Sequence, residues 1–242
     1  MPAGPTDQWL YDRQSSLSIL MPVYNERETV KAAIEQVLTT PLPVESIELI
    51  VIDDGSTDGT GAVLDSLYWP PGVILLRHDS NAGKGAAIRT GLKRATGAFT
   101  AIIDADLEYD PADIALLLPR LLSGESAAVF GTRGFQSHSA FSFWYVVGNK
   151  GVTLAANALY NSWVSDIMTC HKAIRTDLFR SLRLREKGFA IEPEITARLL
   201  RSGERIYEVP ITYQARRREE GKKLTALDGL RVVRTLLRCR VR

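Results

Sequence analysis

The strongest constraint on this chain is a regular alternation of short apolar runs with segments of helical period. The runs at 17–23, 47–52, 73–77 and 98–103 read as strands. Between the first two, residues 26–38 place Val30, Ala33, Ile34, Val37 and Leu38 at helical spacing, and residues 84–95 form a second such segment. Strands that are apolar along their length, without an in–out alternation, must be covered on both faces. A βαβαβαβ order meets that need with a mostly parallel sheet flanked by helices, an α/β fold. In such sheets ligands bind beyond the carboxyl ends of the strands.

Three polar clusters fall at those ends: the turn from Pro22 to Glu26, the run Asp53-Asp54-Gly55-Ser56-Thr57-Asp58, and Asp104-Ala105-Asp106. The second has the chemistry of a turn and a helix N-cap. In the third, a strand delivers two carboxylates separated by one small residue. Clustered oxygens suit a hard cation, Mg²⁺ or Mn²⁺, which usually completes its shell with substrate phosphates. The alternative is an acidic turn that ends a strand. Gly83-Lys84-Gly85 lacks the spacing of a P-loop or a dinucleotide fingerprint. A lysine at a helix start either meets a diphosphate through its charge and nearby backbone N–H groups, or lies in solvent.

Beyond residue 103 the pattern continues with a helix at 111–122, a strand at 127–130, a short strand near 167–174, a helix at 194–201, a strand at 205–213 and a last helix from about 224. Residues 139–160 are mostly apolar and aromatic, which suits either a packing helix or a surface helix against lipid. No run reaches the roughly 18 apolar residues of a membrane span, and no signal peptide is visible. The 242 residues, 45% hydrophobic and 24% charged, fit one domain with a sizeable core. The expected division is an extension at 1–16, a catalytic domain at 17–223 and a basic amphipathic helix at 224–242.

A net charge of +2 gives no general argument for nucleic acid. The basic residues are nevertheless uneven. From Arg216 onward, ten Arg or Lys face only Glu219, Glu220 and Asp228, which suggests a phosphate or an anionic membrane. In the last helix Leu227, Leu230, Val233, Leu236 and Leu237 recur at helical spacing among arginines, as in an interfacial helix or one docked on the domain. Cys170 and Cys239 have neither metal-ligand spacing nor a disulfide framework and are expected as reduced thiols. His171 is expected to pack against a strand.

Set in order, Met21 to Glu26, Val51 to Asp58, Asn81 to Gly85 and Asp104 to Asp106 resemble glycosyltransferase family 2, with its GT-A fold. The second half resembles the narrower branch of polyprenyl-phosphate (dolichyl-phosphate) mannose or glucose synthases. It does so through Gly131-Thr132-Arg133, Gly148-Asn149-Lys150, Ser165 to Cys170, Ile191 to Thr196, and Tyr213 to Lys223. The resemblance implies that Pro22, Tyr24, Glu26 and Asp54 frame the nucleotide, that Lys84 lies near its diphosphate with Ala105 beside it, and that Asp53 only caps a helix. It also implies that Asp104 and Asp106 hold Mg²⁺ or Mn²⁺, with Glu108 as a further ligand. Arg133, Arg216 and Lys222 would form a pocket for donor and acceptor phosphates.

The expected reaction is inverting transfer of a hexose or N-acetylhexosamine from a GDP- or UDP-linked sugar to polyprenyl phosphate. A phosphate monoester, with a second pKa of about 6, is already mostly a dianion at neutral pH and needs no base. A hydroxyl acceptor would need one. Asp166 is the candidate base or sugar-orienting group. Glu192 and Glu194 either touch sugar hydroxyls or cap a helix. Relatives of this branch often continue into C-terminal transmembrane helices, which residues up to 242 do not contain. The expectation is therefore a cytoplasmic protein, peripheral at the inner membrane face, held by its last helix or by a separate small membrane-protein subunit. The alternatives are a soluble enzyme acting on a saccharide hydroxyl and a non-catalytic nucleotide-sugar-binding subunit.

Overall fold

The computed structural model describes residues 15–133, 143–214 and 226–241. Among these, seven strands form one sheet: β1 (Ser16–Val23), β2 (Ser46–Asp53), β3 (Val73–Arg77), β4 (Phe99–Ile102), β5 (Ala128–Arg133), β6 (Lys172–Arg175) and β7 (Ile206–Ile211). Their order is β3-β2-β1-β4-β6-β5-β7. The first four are mutually parallel, and β5 pairs parallel with β7. Only β6 runs antiparallel, to β4 on one side and β5 on the other.

The helices are α1 (Val30–Thr39), α2 (Thr60–Ser66), α3 (Lys84–Arg94), α4 (Ile114–Leu122), α5 (Phe143–Tyr160), α6 (Thr176–Ser181), α7 (Ile191–Arg201) and α8 (Ala226–Val241). Side chains alternate across a strand, so each apolar run feeds two cores. Ile19, Met21 and Val51 pack with Ile34 of α1 and Leu117 of α4 on one face. Leu20, Ile50 and Ile52 pack with Ile88 of α3, Phe179 of α6 and Ile195 of α7 on the other. This is the double coverage that the apolar strands require. A third cluster, including Ala156, Ala197, Val232 and Leu236, joins α5, α7 and α8.

Four differences from the sequence expectation position the site. The first helix begins at Val30 rather than 26, because residues 24–27 are held in a turn by the 56–60 segment. Strand β5 runs on to Arg133 and carries that side chain to the rim. The strand expected near 167–174 is confined to Lys172–Arg175, since the preceding residues turn around Asp166, which accepts the Met168 N–H at 3.0 Å. Helix α7 also starts earlier than 194, at Ile191, so Glu192 and Glu194 lie in its first turn. Pro193 is tolerated there because first-turn N–H groups lack helical partners. The apolar 139–160 segment forms α5. It is a packing helix through Ala156, with Val147 and Leu154 exposed on its outer side.

Candidate active site

Because β1, β2 and β4 are parallel neighbours, their carboxyl ends open on one rim. Two turns there are tied together. Asn25, with a left-handed φ of 56°, accepts the Thr57 N–H at 2.8 Å, and Thr60 Oγ1 accepts the Glu26 N–H at 2.9 Å. Pro22 lies in the β1 register opposite Ile52, with half-buried Tyr24 just beyond the strand. The Glu26 carboxylate accepts from Thr29 Oγ1 at 2.7 Å. Asp53 accepts the Ser56 N–H at 3.0 Å and so closes a turn; it does not cap the following helix, which begins only at Thr60 with Gly59 as its N-cap.

Asp54 is buried and acts on the neighbouring loop. Its oxygens accept the Ala82 N–H at 3.0 Å and the Gly83 N–H at 2.7 Å, and His78 Nδ1 lies 2.7 Å away. The residue expected beside the nucleotide therefore also shapes the loop that presents Lys84. Gly83 has a φ of 95°, and a Cβ there would collide with the Lys187 carbonyl oxygen, so only glycine suits the position.

Lys84 opens α3 and turns inward. Its ammonium lies 2.7 and 2.8 Å from the two Asp104 oxygens, 2.9 Å from Cys170 Sγ and 3.2 Å from Glu192 Oε1. Burial alone would pull its pKa down, but Asp104, Cys170 and Glu192 more than offset this and hold it well above the usual lysine range. For Asp104 burial acts upward, and Lys84 outweighs it to leave the carboxyl below its ordinary value. The Cys170 thiol is driven well up by burial and by Asp104, which disfavours the thiolate that a nucleophile needs. Behind Glu192 stands Lys172, fully buried, 2.6 Å from Glu192 Oε2 and donating also to the Thr169 carbonyl.

Asp106, half-buried like Asp104, accepts the Glu108 N–H at 3.1 Å around Leu107, another left-handed residue. The Glu108 carboxylate accepts from the Tyr213 hydroxyl, and its carbonyl from the Gln214 N–H at 2.9 Å. Among the described residues no three His, Cys, Asp or Glu side chains converge on one cation position. Two carboxylates at a rim still fit Mg²⁺ or Mn²⁺, which needs only one or two when phosphate oxygens complete the shell. Glu108 is turned instead toward Tyr213.

Arg133 and Asp166 form a buried two-point pair, Nε to Oδ2 at 2.7 Å and Nη2 to Oδ1 at 3.0 Å. Burial pushes the Asp166 carboxyl up, but Arg133 and the Met168 N–H bring it below the usual range. A carboxylate held ionised in this way is a weak proton acceptor, so its geometry favours orientation over base catalysis. Glu194 is also taken up structurally, accepting the Arg185 and Glu186 N–H groups at 2.9 and 2.7 Å and Arg198 Nε at 2.9 Å. Arg216 and Lys222 lie outside the described residues.

An aromatic bridge joins the two charged groups. The Arg133 guanidinium lies 5.1 Å from the Tyr213 ring centroid, Tyr213 is 5.1 Å from Tyr109, and the Tyr109 hydroxyl accepts the Cys170 N–H at 3.3 Å. Sequence reasoning did not single out Lys172, Tyr109 or Tyr213 for this role. Lys172 is a single cation at the start of β6, and its partner lies 20 residues away. The only cue was the improbability of a lysine in a buried strand.

His171 stacks on Tyr109 with centroids 5.4 Å apart, and among the described residues neither ring nitrogen has a hydrogen-bond partner. Burial lowers its pKa from 6.5 to about 4. The unfolded state therefore gains a proton first as pH falls. Stability from this group is full above 6.5 and declines as pH drops toward 4. Urea unfolding at pH 7 and pH 4.5 should differ by about 2 kcal/mol from this residue, and His171→Phe should remove that difference. An unchanged acid slope in the variant would exclude His171 as its source.

Comparison with known proteins matches residues 18–183 to the family model Glycosyl transferase family 2. The undecaprenyl-phosphate mannosyltransferase of Micrococcus luteus is 30% identical over 237 residues, covering 88% of this chain and 90% of that protein. The polyprenol monophosphomannose synthase of Mycolicibacterium smegmatis is 29% identical over 82% of this chain and 77% of its own length. The dolichol-phosphate mannosyltransferase of Pyrococcus furiosus is 27% identical, and this chain spans 58% of it. Among solved structures, glucosyl-3-phosphoglycerate synthase from Mycobacterium tuberculosis, in complex with Mn²⁺, UDP and glucosyl-3-phosphoglycerate, superposes with a TM-score of 0.73 at 21% identity. That match covers 100% of this chain and 86% of the other. At that identity the likeness is one of fold, and the fold is the GT-A arrangement expected from the sequence.

Proposed function

The chain belongs to glycosyl transferase family 2, and we propose that it transfers one hexose, mannose in the first instance, from a nucleotide diphosphate sugar to polyprenyl phosphate. One observation carries this reading. Two cationic groups stand on one rim, Lys84 beside Asp104 and Arg133 beside Asp166, linked through Cys170, Tyr109 and Tyr213. Two cationic positions suit a reaction between two phosphate-bearing substrates. The mannosyl and polyprenyl parts of the reading are supported by the names of the three relatives.

On this reading the turn through Pro22, Tyr24 and Glu26 receives the nucleotide, and Asp54 holds the Lys84 loop against it. Asp104 and Asp106 hold Mg²⁺ or Mn²⁺, as fits a fold whose solved examples bind Mn²⁺ or Mg²⁺ with UDP. Bound there with the donor's phosphate oxygens, the cation would supply Lewis-acid stabilisation of the departing diphosphate. Lys84 adds a preoriented positive charge to the same leaving group. Arg133, fixed by Asp166, faces the acceptor phosphate, with Arg216 and Lys222 completing that pocket. A phosphate dianion attacks without a base, which agrees with an Asp166 held ionised by Arg133.

Among the described residues no helix is long and apolar enough to cross a membrane. The last helix docks through Val232, Leu236 and Cys239, while Leu230, Leu237 and Val241 are exposed among arginines. That outer face is our proposed contact with an anionic bilayer at the cytoplasmic side. A soluble phosphorylated acceptor is the second reading, favoured by the glucosyl-3-phosphoglycerate synthase likeness.

An acceptor panel separates the two. The protein with Mn²⁺ is incubated with GDP-mannose, UDP-glucose or UDP-N-acetylglucosamine, and with polyprenyl phosphate or 3-phosphoglycerate, followed by mass analysis. A mannosyl polyprenyl phosphate is the expected product. Glycosylation of 3-phosphoglycerate alone would replace the lipid reading. Tight nucleotide binding without turnover on any acceptor would point to a non-catalytic subunit.

A further inference from the structure

Four side chains of alternating sign run from the interior to the rim: Lys172 at 0% exposure, Glu192 at 2%, Lys84 at 9% and Asp104 at 18%. Their charges sum to zero, and each contact is short: 2.6 Å for Lys172 to Glu192, 3.2 Å for Glu192 to Lys84 and 2.7 Å for Lys84 to Asp104. Lys84 touches both Asp104 oxygens, so it occupies the face of the carboxylate that a cation would use. It also already touches a second carboxylate. Glu192 cannot turn away, because Lys172 holds its other oxygen from inside the fold.

We propose that Lys84 and the divalent cation compete for Asp104, and that Glu192 is the positioning residue that keeps Lys84 in place when the cation takes Asp104. This rests on the reading of Asp104 as a cation holder. The charge balance sets the consequence. A dication entering alone would stand beside an ammonium whose partner it has just removed, in a half-buried site where such repulsion is poorly screened. Entering with an anionic diphosphate, it leaves the site nearly neutral, and Lys84, still held by Glu192, gains a phosphate in place of Asp104. The free protein therefore binds the cation weakly, and nucleotide and cation strengthen each other's binding by the same factor.

The test is Mn²⁺ binding, followed by paramagnetic resonance of the free ion, with and without GDP or UDP in separate arms. Wild-type protein should bind Mn²⁺ at least about tenfold more tightly with the preferred nucleotide than alone. Lys84→Ala should bind Mn²⁺ without nucleotide about tenfold more tightly than wild type, a gain that misfolding does not produce, and should lose the nucleotide enhancement. Glu192→Gln, which leaves Lys84 only Asp104, should bind Mn²⁺ alone more weakly than wild type. Unchanged or weaker nucleotide-free binding in Lys84→Ala overturns the competition. If Asp104→Asn retains full nucleotide-dependent Mn²⁺ binding, the cation-holder reading fails and this inference falls with it. Loss of that binding in Asp104→Asn with no gain in Lys84→Ala removes the inference alone.

Discussion

Asp104→Asn is expected to slow glycosyl transfer about a thousandfold, equivalent to ~4 kcal/mol of lost transition-state stabilisation. The amide preserves size but carries no charge, so the proposed cation site loses its inner ligand while Lys84 keeps only the Glu192 carboxylate, 3.2 Å away. Because the replacement leaves buried Lys84 with one carboxylate in place of two, some thermal stability should be lost as well, and rates are therefore compared at a temperature where the variant is fully folded. Initial rates measured over a Mn²⁺ titration at saturating donor check this. Full recovery of rate at high Mn²⁺ would reduce Asp104 to an affinity role. A loss below about tenfold would remove it from the reaction.

Lys172→Met should have the largest effect on stability, a loss of about 3–5 kcal/mol. Lys172 lies fully inside the fold, its ammonium 2.6 Å from Glu192 and 4.9 Å from the Phe130 ring centroid. Its removal leaves Glu192 buried with a single cationic neighbour, and an uncompensated buried charge costs far more than the pair contributes. The double variant Lys172→Met with Glu192→Gln should recover much of the loss, because no unpaired charge remains. Urea unfolding of both single variants and the double variant gives the coupling directly. Strictly additive losses would show that the two side chains stabilise the fold independently.

These two residues differ in how far they could be read beforehand. Asp104 was legible because a strand end, a short spacer and a second carboxylate are adjacent in the chain. The same holds for the strands themselves, whose apolar runs specify burial on both faces and so the α/β layering. Lys84 was legible as a helix-start cation between glycines, but not its direction, inward to Asp104 and Glu192. Asp166 is legible as a candidate base or sugar-orienting group, but its state depends on Arg133, 33 residues away at the end of β5. Glu194, open to a sugar-binding role in sequence, is spent on two backbone N–H groups and Arg198.

By itself the sequence determined the periodic elements, their likeness to family 2 and the carboxylates at the strand ends, since each of these depends on residues near one another along the chain. The tertiary structure decided which charges meet. Antiparallel β6 sets Lys172 beside the early start of α7, so a buried lysine finds Glu192, and Glu192 reaches Lys84. Electrostatic pairing acts over a few ångströms in space and takes no account of sequence separation. The partners that set the charge of this site could therefore be found only once the chain had folded.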